Sequence, residues 1–209
     1  RANAARTCGD IHLASARKLL LDLLDDPSPR VVSLATVALG RIAPKGDSEV
    51  VDSLFTHAAK NNGTAFDVTI RHAFLSSLTR LAKPDQTLAR VKSDSFEQRM
   101  LSLLVSRRQN HPHLALFLND ENGAIRNEAV SAIYDTGALD GPAGKELLSL
   151  KLEDFPFHQQ ARLVAAYFRI GSKESAKALV EVCANSILKE ELRIFALEAL
   201  LRWSIPIDT

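Results

Sequence analysis

The sequence predicts an all-α protein, an α-solenoid of about six helix pairs, on three observations. The first is internal repetition: Leu24, Asp26, Val31, Ala35, Ala38 and Leu39 return 94 positions later as Leu118, Asp120, Ile125, Ala129, Ala132 and Ile133. Part of the pattern returns again 67 positions on, as Leu192, Arg193, Ala196, Ala199 and Leu200. A fixed internal pattern is the mark of a repeat protein. The second is spacing. Apolar residues recur at helical intervals throughout, and no stretch alternates with period two long enough for a strand. The third is the set of small residues Ala35, Ala38, Ala129, Ala132, Ala165, Ala196 and Ala199, which let the two helices of a pair approach to about 8 to 10 Å.

Taken in order, residues 1–10 read as a polar tail, 11–205 as one repeat domain and 206–209 as a second tail. His12 to Leu24 keeps helical spacing, and Asp25-Asp26-Pro27-Ser28-Pro29 breaks it. Pro29 suits a first helical position, where its missing N–H had no partner anyway, with Asp26 or Ser28 as cap. The second helix, Arg30 to Ala43, completes pair one. Pair two is Ser48 to Lys60 and Thr64 to Ala82, with Ser48 and Thr64 as caps across the Asn61-Asn62-Gly63 turn. Pair three is Pro84 to Val91 and Ser95 to Arg108, and pair four His113 to Leu118 and Gly123 to Thr136. Pair five is Gly141 to Leu150 and Phe157 to Ile170. Pair six is Lys173 to Ala184 and Lys189 to Trp203, ended by Pro206. Six pairs in about 195 residues give a period near 32, within the helical-repeat range.

Composition narrows the function. Hydrophobic residues are 46% and charged residues 24% of the 209, which fits a folded globular chain and excludes disorder. With 26 basic against 25 acidic residues, the net charge of +1 supplies no field to hold nucleic acid or an anionic membrane. No apolar run reaches the ~18 residues of a membrane span. The two cysteines, Cys8 and Cys183, form neither CxxC nor CxxCH, so no zinc or covalent haem motif is present. Cys183 reads as a core thiol, and Cys8 as free or paired. The start at Arg1 reads as a cut through a longer chain.

The Asp120 to Arg126 spacing, followed by Ala129 and paired branched residues, resembles HEAT repeats, especially the short kind of the phycobilisome-lyase group. That resemblance implies a right-handed superhelix with Asp26, Arg71, Arg99, Asp120, Arg126, Arg162 and Arg193 as the repeat signature. The aspartate would cap the helix, and the arginine would reach an aspartate of its own or the next unit. Arg71, Arg99 and Arg162 lack an acid six residues upstream. A narrower resemblance lies in the phrases Asp67 to Ala73, Met100 to Arg108, Leu118 to Asp120, Ala132 to Asp135 and Leu192 to Trp203. These are similar to the HEAT segment of planctomycete-type membrane-bound dehydrogenases, which lies between a β-propeller and a CxxCH haem domain. Membership would make this chain a scaffold within an exported redox protein, with no catalytic residue and no cofactor of its own.

Candidate sites are few. His111 and His113 could form a metal pair but lack further ligands at a recognised spacing, so a helix-start turn accounts for them. His72 has no nucleophile and orienting acid beside it. Basic residues gather at Arg99, Arg107 and Arg108 and at Arg80, Lys83, Arg90 and Lys92. The second helices of the pairs, which would line a concave face, carry Arg41, Arg80, Glu128, Asp135, Glu198 and Arg202. Mixed signs there favour a protein partner, or neighbouring domains of the same chain, over nucleic acid. Trp203 reads as a cap on the end of the core. Two functional classes follow: a non-catalytic interaction module within a larger dehydrogenase, or a free-standing cytoplasmic HEAT adaptor or nucleic-acid binder.

Overall fold

In a computed structural model the description covers residues 1–60 and 68–203, with side chains from residue 70 onward in the second stretch. The expected turn at 61–63, the cap Thr64, Asp67 and Pro206 lie outside the described residues. Within them, all regular structure is helical. The chain is an all-α protein of the α-solenoid class whose contacts divide it into two compact units, Arg1–His111 and Pro112–Thr209. A single domain over 11–205 was the expectation. The division falls where Asn110 adopts a left-handed backbone (φ 51°) and Pro112 blocks continuation of the preceding helix.

The first unit holds α1 (Ala2–Asp10), α2 (Arg17–Asp22), α3 (Pro29–Ile42), α4 (Ser48–Lys60), α5 (Val68–Leu81), α6 (Pro84–Leu88) and α7 (Phe96–Arg108). The second-position helices form one layer, α1 on α3, α3 on α5 and α5 on α7. The first-position helices lie behind, α2 on α3, α4 on α5 and α7, and α6 on α7. Residues 1–10 are therefore not a tail. Ala5, Cys8 and Gly9 share one face of α1 and meet the core, while Asn3, Arg6, Thr7 and Asp10 point outward. Those outward residues are what make the segment look polar in sequence.

Close approach explains the layer. A Cβ added at Gly9 would lie 2.8 Å from the Ala38 Cα, and one at Gly40 2.5 Å from the Ser77 Oγ. The Ser77 hydroxyl donates instead to the Thr36 carbonyl on α3 at 2.9 Å, a buried cross-helix bond that needs the two backbones this near. Behind it, Leu20, Leu39, Leu54, Phe55, Phe74, Leu78 and Leu101 are fully buried. The helix expected over His12 to Leu24 is broken. His12 takes a left-handed conformation (φ 55°), and 3₁₀ turns at Ala14–Ala16 and Leu23–Asp25 flank α2. Asp26 is extended (φ −65°, ψ 136°), as the residue before a proline must be.

The second unit holds a 3₁₀ segment Pro112–Phe117, α8 (Gly123–Thr136), α9 (Pro142–Leu148), α10 (Phe157–Ile170), α11 (Lys173–Ala184) and α12 (Glu190–Leu201). Here α8, α10 and α12 make the second-helix layer, and the 3₁₀ segment, α9 and α11 lie behind. Gly137 (φ 72°) and Gly171 (φ 65°) end α8 and α10 in the left-handed conformation that glycine adopts without strain. The repeat positions Ile125, Ala129, Ala132, Ile133, Leu192 and Ala196 are almost wholly buried. In α10 the pattern is one residue out of phase: Ala166 is buried and Ala165 only half-buried. Asn127 is half-buried, and its carbonyl accepts the Ser131 hydroxyl at 3.1 Å.

Because Ala129 is fully buried on α8, Ala129→Leu should overpack the unit and lower stability by about 1–3 kcal/mol. Ala124→Leu, on the exposed first turn of the same helix, should change it by less than about 0.5 kcal/mol. Thermal melts of the two variants check the phase of α8.

Candidate functional site

The signature residues build a turn clamp. Ahead of α3 the Asp26 Oδ1 accepts the Ser28 N–H at 2.9 Å, and ahead of α8 the Asp120 Oδ1 accepts the Asn122 N–H at 2.8 Å. Ahead of α7 a hydroxyl serves instead, with Ser93 Oγ accepting the Ser95 N–H at 3.2 Å. The next cap follows directly: Asn122 accepts from Ala124 at 2.9 Å, and Ser95 from Gln98 at 3.4 Å. Thus Asp26, expected as a helix cap, stands two residues before the cap position and accepts the backbone N–H of Ser28, which occupies it. The Ser28 hydroxyl makes no cap bond.

Arg126 then closes its turn from behind. Its Nη1 donates to the carbonyls of Asp120 at 2.8 Å and Glu121 at 3.0 Å. Arg99 does the same to Ser93 at 2.8 Å and Asp94 at 3.3 Å. So the arginine reads backbone carbonyls five and six residues upstream, which explains why Arg99 works without an acid at position 93. Before α3 the equivalent position is Val32, and Arg1 of the α1 end meets the Asp26 Oδ2 at 3.1 Å. The Asp26 side chain is only 3% exposed, while that of Arg1 is 64% exposed.

Elsewhere the signature arginines diverge. Arg162 on α10 hydrogen-bonds the buried Ser131 hydroxyl, which also accepts Gln159 Nε2 at 3.2 Å, and its guanidinium lies 5.8 Å from the Tyr134 ring. Arg193 donates through Nε to the Cys183 carbonyl at 2.9 Å, holding the end of α11 against α12. Cys183 is half-buried, and burial pushes its thiol pKa up. Arg71 lies half-buried on the first turn of α5.

The expected concave-face residues fall in both units. Arg41 on α3 pairs with Asp10 of α1, and Arg80 is exposed near the end of α5. Glu128 is half-buried and Asp135 exposed on α8, while Glu198 on α12 and Arg202 just beyond it are exposed. What the charges did not reveal is the aromatic and apolar surface beside them: Phe168 is 38% exposed on α10 and Phe195 38% on α12. Phe168 meets the Trp203 ring edge to face, centroids 5.9 Å apart, so Trp203 covers the side of α10. Arg169 spans the Tyr134 ring at 4.6 Å and donates to the Tyr134 carbonyl at 3.0 Å. Only burial could single out these phenylalanines from others in the chain.

Ionic ties knit the first unit. Arg17 grips Asp47 with two bonds, 2.9 and 2.8 Å, and reaches Glu49 at 2.7 Å, so α2 is fixed to the start of α4. Asp47 also accepts the Val50 N–H at 3.2 Å. The guanidinium holds the Asp47 carboxyl below the usual aspartate range. Asp25 accepts His57 Nε2 at 3.1 Å and Lys60 Nζ at 3.2 Å, and these two likewise lower its pKa. His57 Nδ1 lies 2.7 Å from the Ser53 carbonyl. This set joins α4 to the turn before α3. His111 and His113 fall on either side of the division between the units. Among the described residues no three His, Cys, Asp or Glu side chains gather as a metal site, and no helix is long and apolar enough to cross a membrane.

Among the described residues, two of the clefts have ligand-like size. One, about 530 Å³, lies between α1 and the start of α3, lined by Asn3, Arg6, Ser28, Arg30, Ser33 and Leu34. The other, about 710 Å³, has Leu139, Leu148 and Ile170 within and Asp140, Lys145 and Glu174 around it. Neither brings convergent, buried polar groups to one point.

Comparison with known families matches residues 1–78 to the HEAT repeats model. That match includes α1, in keeping with its place in the helix layer. A comparison with curated proteins finds no match. Among solved structures, the chain is similar to the complex of CpcE and CpcF of phycocyanin lyase from Nostoc sp. PCC7120. The identity is 18% over 98% of this chain and 82% of that one, with a TM-score of 0.42, too low for any inference to this chain.

Two outcomes test the clamp and the ion pairs. Arg126→Ala should cost about 1–3 kcal/mol, since two carbonyls lose a charged donor, and Arg126→Lys should recover little, because a single ammonium lacks the planar fork. Asp47→Asn should cost about 1–2 kcal/mol at pH 7. A carboxyl with a lowered folded-state pKa stabilises above the ordinary value, about 3.9, and loses that contribution as pH falls through the lower folded value. The wild-type advantage over Asp47→Asn should therefore shrink below about pH 4, as measured by denaturant unfolding.

Proposed function

We propose that this chain is a non-catalytic helical-repeat scaffold that binds protein through the exposed face of its second helices. One observation carries the reading. At 3.6 residues per turn, Phe195, Glu198 and Arg202 fall within about 60° of one another around α12, on the same layer as exposed Phe168 of α10. Half-exposed aromatics set among an arginine and acidic residues are the composition of a protein-binding hot spot. A nucleic-acid face would need clustered basic groups between stacking rings, and Glu191, Glu198 and Asp135 break such a cluster here.

The finer reading is that the scaffold is one part of an exported dehydrogenase, joining a β-propeller to a c-type haem domain. Its support is the wording of the Met100 to Arg108 and Leu192 to Trp203 phrases. In that case the segment itself holds no cofactor, and the purified piece is colourless and free of stoichiometric metal. Sequencing the gene on both sides tests it: a propeller upstream and CxxCH downstream are expected, and a stop codon directly after Thr209 overturns the dehydrogenase reading.

The scaffold reading has its own test. Purified from its own cells, the full-length protein should bring down a protein partner in stoichiometric amount. Phe168→Ala with Phe195→Ala should reduce capture at least tenfold while leaving the melting temperature within a few degrees. Retained capture by that variant, or a salt-sensitive affinity for duplex DNA in place of a protein partner, overturns the assignment.

A further inference from the structure

The second-position helices of the first unit carry one kind of charge. Together α1, α3, α5 and α7 contain eight arginines, no lysine and two acids, Asp10 and Glu97, so positive charge collects on this layer within a chain whose net charge is only +1. Arg99 is engaged in the turn before α7. Three others repeat. Arg41, Arg80 and Arg108 each stand nine residues after the signature position held by Val32, Arg71 and Arg99, in the last turns of α3, α5 and α7. All three are exposed. In the second unit the same position holds Asp135, Gly171 and Arg202, so the row of like charges belongs to the first unit.

Contacts beside these arginines bring the helix ends together. Gly40, next to Arg41, faces Ser77 of α5 too closely for a Cβ. Gln109, next to Arg108, donates to the carbonyls of Thr79 and Ala82, which flank Arg80 in sequence, at 3.0 and 2.9 Å. Neighbouring arginines therefore stand on helices about 8–10 Å apart, and the negative end of each helix dipole offsets the repulsion among them. One turn before each arginine, half-buried Val37, Ser76 and Leu104 form a floor beside the row.

The first arginine shows what the row takes. The Asp10 carboxylate at the end of α1 bonds the Arg41 guanidinium and lies 3.4 Å from the Arg6 Nε. The next two have no such acid from their own chain. Arg108 donates to the Ser76 hydroxyl at 3.5 Å, and among the described residues neither Arg80 nor Arg108 makes an ion pair.

We propose that Arg80 and Arg108 dock an acidic segment of a partner protein, bound extended with one carboxylate on each guanidinium. This rests on the scaffold reading and adds the chemistry of what the first unit takes. The planar fork of arginine matches a carboxylate with two parallel hydrogen bonds. An extended chain rises about 3.3 Å per residue, so acids three residues apart span about 10 Å, the separation of neighbouring helices. Nucleic acid fits the row less well. The aromatic residues of these four helices are Phe74, which is buried, and Phe96, at the opposite end of α7, so no ring stands beside the arginines for a base to stack on.

The probe is a labelled glycine–serine peptide about ten residues long, with aspartate at every third position, titrated with the full chain by fluorescence anisotropy at low salt. Saturable binding is expected, at least tenfold weaker for the same peptide with asparagine in place of aspartate. Arg80→Gln with Arg108→Gln, at exposed positions, should keep its helical circular dichroism and weaken binding at least tenfold. Lys18→Gln, which removes the same charge from α2, should leave binding unchanged. Arg80→Glu with Arg108→Glu should take the peptide that carries lysine in place of aspartate. Absence of binding, binding indifferent to the Arg80 and Arg108 substitutions, a reversed variant that ignores the lysine peptide, or tighter binding of single-stranded DNA of equal length at the same salt overturns the proposal. A protein that captures a partner through Phe168 and Phe195 and ignores the peptide overturns this inference alone, and one that binds the peptide and captures no partner overturns the scaffold reading alone.

Discussion

Close backbone approach between successive second helices is the constraint on which the first unit depends. Gly9 faces Ala38, and Gly40 faces Ser77, at separations that leave no room for a methyl group. Once the layer α1, α3, α5 is fixed at that distance, the larger residues Leu39, Phe74 and Leu78 can fill the space toward the first helices without a void. The buried Ser77 bond to Thr36 depends on the same spacing, since a hydroxyl on a helix reaches a neighbouring carbonyl only when little lies between. Packing and hydrogen bonding therefore impose one geometry.

Polar ties then decide how each pair enters the layer. Where the chain turns into α7 and α8, an arginine side chain satisfies carbonyls that the turn would otherwise leave to water. Where it turns into α4, Asp47 caps the helix and holds Arg17 in the same act. At the turns out of α5 and into α10 an amide does this work: Gln109 caps carbonyls of Thr79 and Ala82, and Gln160 those of Leu152 and Phe155. The chemistry varies from turn to turn while the requirement stays the same.

Most of the helices were legible in the sequence. The bounds of α4, α8, α10 and α11 fall where the apolar spacing placed them, although Asp47, and not the expected Ser48, caps α4. Three things were hidden. The face of α1 is made of Ala5, Cys8 and Gly9, residues too small to stand out as apolar. The interruption at His12 and the division at Asn110 rest on single left-handed residues, which no periodicity records. The candidate surface was only half visible, since its charges could be assigned to helix faces but the exposure of Phe168 and Phe195 depends on what the neighbouring helix fails to cover. The roles of Arg99 and Arg126 were read at the right positions and with different atoms, because a rule about side-chain pairs does not see backbone carbonyls.

That choice of atoms shapes how such a chain can change. A guanidinium that binds carbonyls is indifferent to the side chains it passes, because every residue offers a backbone carbonyl. Ser93 can therefore stand where another turn has Asp120, and Asp94 where it has Glu121, with no loss of register. The turns before α7 and α8 thus keep one contact with different side chains between them. Two turns can therefore share a shape without sharing a spelling.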